Sequence, residues 1–163
     1  MREPGALTWL LADEVATRQA GAWLAHARAA DGGRGLFVTL SGDLGAGKTT
    51  LVRGLLQALG VTGAVRSPTY TLVESYALPD GRIHHLDWYR LGGVDDLDGI
   101  GFRDLQGPGQ WVIVEWPERV GAVAAAADLA IELSYEGEGR RLVATGRTPQ
   151  GVQVVRAWSK ETA

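Results

Sequence analysis

Two kinds of apolar spacing alternate along this chain. Leu36-Phe-Val-Thr-Leu40 and Trp111-Val-Ile-Val-Glu115 are nearly continuous apolar runs, the pattern of strands buried on both faces of a parallel sheet. Leu51, Val52, Leu55, Leu56 and Leu59 recur at helical spacing, with Gly60 placed to end the helix. Ala16, Ala20, Trp23, Leu24 and Ala27 do the same, behind Asp13 as a cap, and predict a helix to about Ala30 that Asp31-Gly-Gly-Arg-Gly35 breaks. Leu7 to Leu11 reads as a short edge strand. Thr69 to Tyr76 alternates like a strand, Pro79-Asp-Gly81 turns, and Arg82 to Tyr89 returns. Residues 92–109 are polar and glycine-punctuated, with short helical turns around Asp95–Leu97 and Phe102–Leu105. Pro117 to Val120 fits one helical turn, and the alanine-rich stretch through Ala127 fits a loop or a short helix equally. Leu129, Ile131, Leu133 and Tyr135 alternate, Glu136-Gly-Glu-Gly139 turns, and Leu142 to Thr145 completes a hairpin; Gly151 to Trp158 is predicted as one more strand. The sum is an α/β fold, one domain over residues 1–163 with its core at about 8–158, built on a small mixed sheet with few helices beyond the first sixty residues.

Between the first buried strand and its helix lies Gly42-Asp-Leu-Gly-Ala-Gly-Lys-Thr49, which fits the phosphate-loop pattern G-x-x-x-x-G-K-[ST]. Strand, glycine loop and helix are what the chemistry requires. The glycines let backbone N–H groups curl round a phosphate, and the helix N-terminus adds positive potential. Gly42, Asp43, Leu44, Gly45, Ala46, Gly47, Lys48, Thr49 and Thr50 are therefore candidate nucleotide contacts, which makes the domain P-loop NTPase-like. Lys48 would reach the β- and γ-phosphates, and the Thr49 hydroxyl would ligate Mg²⁺. Of the sixteen basic residues only Lys48 and Lys160 are lysine. A compact ammonium fits between phosphates where a planar guanidinium is bulky, so a lysine at this position in so arginine-biased a chain points the same way.

Composition removes several function classes. A formal net charge of −3 offers no basic footprint for autonomous nucleic-acid binding, so any RNA role runs through a partner. With no cysteine there are no disulfides, thiolate metal sites or cysteine nucleophiles. No stretch approaches the roughly 20 apolar residues of a membrane span, and Met1-Arg-Glu-Pro-Gly5 lacks a leader's apolar core, so a cytoplasmic protein is expected.

A phosphate loop needs a second acidic group beside the metal's water shell, normally at the end of an apolar strand. Glu115 closes Val112-Ile-Val and is the best candidate, a longer arm than the usual aspartate. Asp87, in His85-Leu-Asp-Trp-Tyr-Arg90, could reach the metal or orient the water that attacks the γ-phosphate. Arg90 could neutralise phosphate charge or pair with Asp87, and a salt bridge that merely fastens the loop fits equally well. His84 and His85 are no metal site, since adjacent strand residues face opposite ways. Ser67-Pro-Thr-Tyr-Thr71, with Thr69, sits where a γ-phosphate sensor is expected, though a strand beginning with a proline explains it as well. No Asn-Lys-x-Asp element selects guanine, so ATP is the expected nucleotide, with Mg²⁺.

Together Gly42 to Thr50, Ser67-Pro-Thr-Tyr-Thr-Leu-Val-Glu74, His85-x-Asp-x-Tyr-Arg90 and Glu115-Trp116, in that order and spacing, closely resemble the TsaE (YjeE) family. Asp13-Glu-x-Ala-Thr17 resembles that family's opening helix, and the resemblance covers residues 8–145. It implies a bacterial ATPase required for N6-threonylcarbamoyladenosine at position 37 of tRNAs that read codons beginning with adenine. It implies partners, TsaB and TsaD, of which TsaD transfers the threonylcarbamoyl group, so that tRNA is met only indirectly. By the same resemblance Gly45 through Thr50 contact phosphates, Thr49 and Glu115 hold Mg²⁺, Asp87 is needed for hydrolysis, and Trp116 packs beside the metal. Ser67 to Thr71 would sense the nucleotide, and Glu14 and Thr17 would lie on its adenine side. The chain departs from the family at Trp88, where a smaller aliphatic is usual, and at the degenerate Gly93-Val-Asp-Asp-Leu-Asp98. Two other readings remain open on sequence. One is a small-molecule kinase using Asp87 as base and residues 92–109 as a lid; the other is a nucleotide-gated binding module.

Overall fold

The computed structural model describes residues 5–161. Met1 to Pro4, most of the segment read above as unlike a leader, and Thr162 and Ala163, the end of the domain span, lie outside the described residues.

Seven strands form one sheet: β1 (Ala6–Leu11), β2 (Leu36–Gly42), β3 (Val73–Leu78), β4 (Gly81–Asp87), β5 (Gln110–Glu115), β6 (Leu129–Glu136) and β7 (Gly139–Gly146). Their spatial order is β1-β7-β6-β2-β5-β4-β3. β2 runs parallel to both β5 and β6, and β5 runs parallel to β4. The β1–β7, β6–β7 and β3–β4 pairs are antiparallel, which makes the sheet mixed as expected. The two continuous apolar runs are thus adjacent central strands, buried on both faces because both faces are covered.

One face carries α1 (Glu14–Ala27), α2 (Lys48–Ala58) and α5 (Pro149–Lys160), packed over Val38, Leu40, Trp111, Ile113 and Ile131. The other is covered by two short helices, α3 (Val94–Gly99) and α4 (Gly121–Ala124), and the 3-10 turns Phe102–Leu105 and Pro117–Val120, over Phe37, Leu86, Val112 and Val114. α1 and α2 cross at two glycines. A Cβ on Gly21 would stand 2.1 Å from the Leu51 carbonyl oxygen, and one on Gly54 2.0 Å from that of Arg18. Only glycine admits this approach, and it seats the helix that follows the phosphate loop.

Two expectations need correction. Gly151 to Trp158 is not a strand: it lies within α5, where Gly151, Val154, Val155 and Trp158 are buried at helical spacing. The start signal is Thr148, whose hydroxyl accepts from Gly151 N at 3.2 Å and donates to Asp128 Oδ1 at 2.8 Å, with Pro149 in the first turn. Helix is therefore not confined to the chain's first third. The strand predicted from Thr69 begins only at Val73, because the Pro68 carbonyl accepts from Leu72 N at 2.8 Å and closes a turn there, with Leu72 at φ 68°. Residues 92–109, the lid that the kinase alternative would use, are anchored elsewhere: Leu97 and Phe102 sit in the second core, Phe102 edge-on to Phe37 and Trp88 at 5.4 Å each.

Candidate nucleotide and metal site

The site follows from strand register. Leu40 on β2 pairs with Glu115 on β5, which pairs with Asp87 on β4, so three strand ends stand in one row at the carboxyl edge of the parallel strands. Residues in register share a face, and this row faces the side covered by α1 and α2. Ligands of open α/β sheets bind at that edge.

Beside the row the chain leaves β2 through Gly42 and turns into α2. Gly45 (φ 81°) and Gly47 (φ 106°) take left-handed conformations there that L side chains avoid. Two cavities flank the loop. One, of about 230 Å³, is lined by Leu44, Gly45, Gly47, Lys48, Thr49 and Thr50 from the loop and helix, Ser67 and Thr69 from the turn before β3, and Asp87, Glu115 and Trp116 from the strand ends. The other, of about 180 Å³, lies between Gly45, Ala46, Gly47 and Thr50 on one side and Asp13, Glu14, Thr17, Glu138, Gly139 and Arg140 on the other.

Most candidate residues therefore converge. Gly42 and Asp43 line neither cavity but shape the loop: the Gly42 carbonyl accepts from Lys48 Nζ, and the Asp43 carbonyl accepts from Ala46 N at 3.0 Å. Arg90 does not converge. It is exposed, with its guanidinium 5.0 Å over the Tyr70 ring, and makes no salt bridge to Asp87 among the described residues. Asp87 instead accepts from Tyr89 N at 2.8 Å through Oδ1, a local turn that fixes its rotamer without Arg90. Ser67 and Thr69 share a hydroxyl hydrogen bond of 2.7 Å at the mouth of the larger cavity.

Trp116 sits at φ 58°, a strained conformation for a large residue and one that clusters at functional sites. Its ring lies 4.0 Å from Lys48 Nζ. Tyr89 packs tilted against Trp116, ring centroids 5.0 Å apart and planes at 59°, and Arg119 covers Tyr89 at 4.7 Å. The lysine is buried with one carbonyl acceptor and an aromatic face, so its charge is held ready for an anion rather than spent on a carboxylate.

His85 is the site residue that motif reading missed. Dismissed as a metal ligand, it is fully buried with Nε2 2.5 Å from Glu115 Oε2. The usable signal was period two: His85 shares a face with Asp87. His84 points the other way, bridging Ser75 and Gln110 at 2.7 Å each.

Of the hydroxyls and carboxylates that line the larger cavity, those of Thr49, Asp87 and Glu115 are the candidate metal ligands, all through oxygen. No group of three or more His, Cys, Asp or Glu converges on a metal position among the described residues. That set suits Mg²⁺, which takes one or two protein oxygens and fills its octahedron with phosphate and water, and does not suit zinc.

A model of the threonylcarbamoyl adenosine biosynthesis protein TsaE matches residues 11–143. The chain belongs to the TsaE family. The TsaE of Haemophilus influenzae is 39% identical over 126 residues, covering 77% of this chain and 80% of that protein. The TsaE of a Nostoc species is 38% identical over 136 residues, 80% of each. The crystal structure of Bacillus subtilis YdiB superposes with a TM-score of 0.74 over 100% of both chains at 23% identity, which shows a shared fold. The TsaE match reaches from the end of β1 into β7 and takes in the whole row of strand ends, while α5 lies beyond it. No helix among the described residues is long and apolar enough to cross a membrane.

Proposed function

We propose that this chain is the ATP-hydrolysing member of the threonylcarbamoyladenosine machinery, acting with TsaB and TsaD and meeting tRNA only through them. The observation that carries the reading is the convergence of Lys48, Thr49, Asp87 and Glu115 on one cavity beside a glycine loop. ATP would lie across the loop, its nucleoside towards Glu14 and Thr17 and its terminal phosphate towards Asp87 and Glu115.

In that arrangement Lys48 moves from the Gly42 carbonyl to the β- and γ-phosphate oxygens and offsets the charge that builds there as the bond to the bridging oxygen breaks. Asp87, held by Tyr89 N, orients the attacking water and accepts its proton. Thr49 and Glu115 are the groups that would hold Mg²⁺, which neutralises phosphate charge when bound. Ser67 and Thr69 line the same cavity, and their hydroxyls would sense the γ-phosphate. Among the described residues the candidate lid, residues 92–109, is packed on the far face of the sheet and leaves this cavity uncovered. Hydrolysis is therefore slow for the chain alone and faster when a partner excludes water. The same placement removes the acceptor lid that a small-molecule kinase would need.

The test is release of labelled phosphate from γ-labelled ATP with Mg²⁺, with and without TsaB and TsaD. Free phosphate that rises with the partners and is lost in Lys48→Ala supports the proposal. A labelled small molecule, or full hydrolysis by Lys48→Ala or Glu115→Ala, contradicts it. Sustained tRNA modification by an Asp87→Asn chain that binds but cannot cleave ATP would show a binding module instead.

A further inference from the structure

The outer side of the phosphate loop is gripped by a distant hairpin. Tyr135 on β6 donates its hydroxyl to the Leu44 carbonyl at 2.9 Å. Arg140 on β7 donates Nε to the Ala46 carbonyl at 3.0 Å and Nη2 to the Gly45 carbonyl at 3.1 Å. Three successive peptide oxygens are thus held from one direction. The grip is itself rigid. Tyr135 and Arg140 are direct cross-strand partners, the guanidinium lies 4.2 Å over the tyrosine ring, and Nη1 is tied to the Gly139 carbonyl at 2.9 Å.

A peptide is planar with its C=O and N–H pointing opposite ways, so pinning an oxygen outward aims the N–H of the next residue inward. The three held oxygens belong to the peptides that carry the N–H groups of Gly45, Ala46 and Gly47. Ala46 N is satisfied by the Asp43 carbonyl, while Gly45 N and Gly47 N have no backbone acceptor among the described residues. A charged donor on the oxygen also polarises the peptide and strengthens its N–H as a donor. Without the grip, a loop with glycines at 42, 45 and 47 and an exposed Leu44 has ample freedom to lose on binding.

We propose that Tyr135 and Arg140 are positioning residues that preset the phosphate loop, so that its free amides meet a polyphosphate already aligned. The inference rests on the nucleotide-binding reading above and adds to it residues outside the loop motif. Arg140 also lines the smaller cavity, and contact with a nucleoside there is the rival role.

Isothermal titration with ATP and with inorganic tripolyphosphate, which has no nucleoside, separates the two. The parent chain is compared with Arg140→Gln, Arg140→Lys, Tyr135→Phe and Lys48→Ala. Arg140→Gln should weaken ATP and tripolyphosphate by the same factor, about tenfold, the worth of a charged hydrogen bond. Arg140→Lys, which can hold one carbonyl but not two, should recover part of the loss, and Tyr135→Phe should weaken both ligands by a smaller factor. The melting temperature of each ligand-free variant should stay within a few degrees of the parent (~4 °C). Unchanged tripolyphosphate affinity in Arg140→Gln overturns the clamp, whether or not ATP binding falls. Loss by Lys48→Ala alongside that result leaves the nucleotide site standing, whereas a parent chain that binds neither ligand sinks both readings.

Discussion

His85 Nε2 lies 2.5 Å from Glu115 Oε2, and both side chains are almost wholly removed from solvent. The two come from adjacent parallel strands, His85 in register with Ile113, two residues before Glu115. The contact occupies one carboxylate oxygen and leaves Oε1 without a protein partner among the described residues. Such supporting contacts orient metal-binding carboxylates. His85→Ala should raise the Mg²⁺ concentration that half-saturates ATP hydrolysis by about tenfold or more. His85→Gln, which can still donate to the carboxylate, should recover part of that shift. Equal Mg²⁺ dependence in all three chains would rule the role out.

Asp87 is held by a backbone amide rather than a cation, so replacing it need not disturb the nucleotide. Asp87→Asn should keep ATP affinity within about threefold while cutting the hydrolysis rate by roughly a hundredfold or more, as expected for loss of a general base. Single-turnover rates beside equilibrium binding would check both halves.

The Lys48–Trp116 contact supplies an optical report. In the proposed complex phosphates would draw the ammonium off the indole face, so ADP or ATP should change Trp116 emission. Six tryptophans contribute to the signal, and Trp116→Phe should remove the nucleotide-dependent part. A response that survives in Trp116→Phe would mean that another indole reports binding.

At the α1–α2 crossing, Gly54→Ala places a methyl about where the Arg18 carbonyl now is. The helices must separate, at a cost of about 1–3 kcal/mol or more. Urea denaturation should show the loss as a lowered midpoint. Gly99→Ala, in open space on a short helix of the other face, should cost far less.

Much of the architecture was legible because the signals were local. Continuous apolar runs marked β2 and β5, helical spacing marked α1 and α2, and a glycine turn marked the β6–β7 hairpin. Gly151 to Trp158 is a helix and not the strand expected: Thr148-Pro149 is a start signal, and Gly151, Val154, Val155 and Trp158 lie at helical spacing. β3 was begun too early because a turn closed by Pro68 looks, residue by residue, like alternating β-formers. At the site, the loop and the two carboxylates followed from motif and strand ends. Period two puts His85 on the face of Asp87, but its contact with Glu115 and the hold of Tyr135 and Arg140 on the loop depend on which strands become neighbours.

Leu44 meets Tyr135 across 91 positions of chain, and Ala46 meets Arg140 across 94. A growing polypeptide therefore makes its glycine turn long before it makes the hairpin that grips it. Contacts so far apart in sequence form late and at a large cost in closure entropy. By the proposed clamp, competence for nucleotide waits until β7 has been made and has closed against β6 and β1. A chain cut before Tyr135 would carry the glycine loop in full and, by the same proposal, hold ATP poorly.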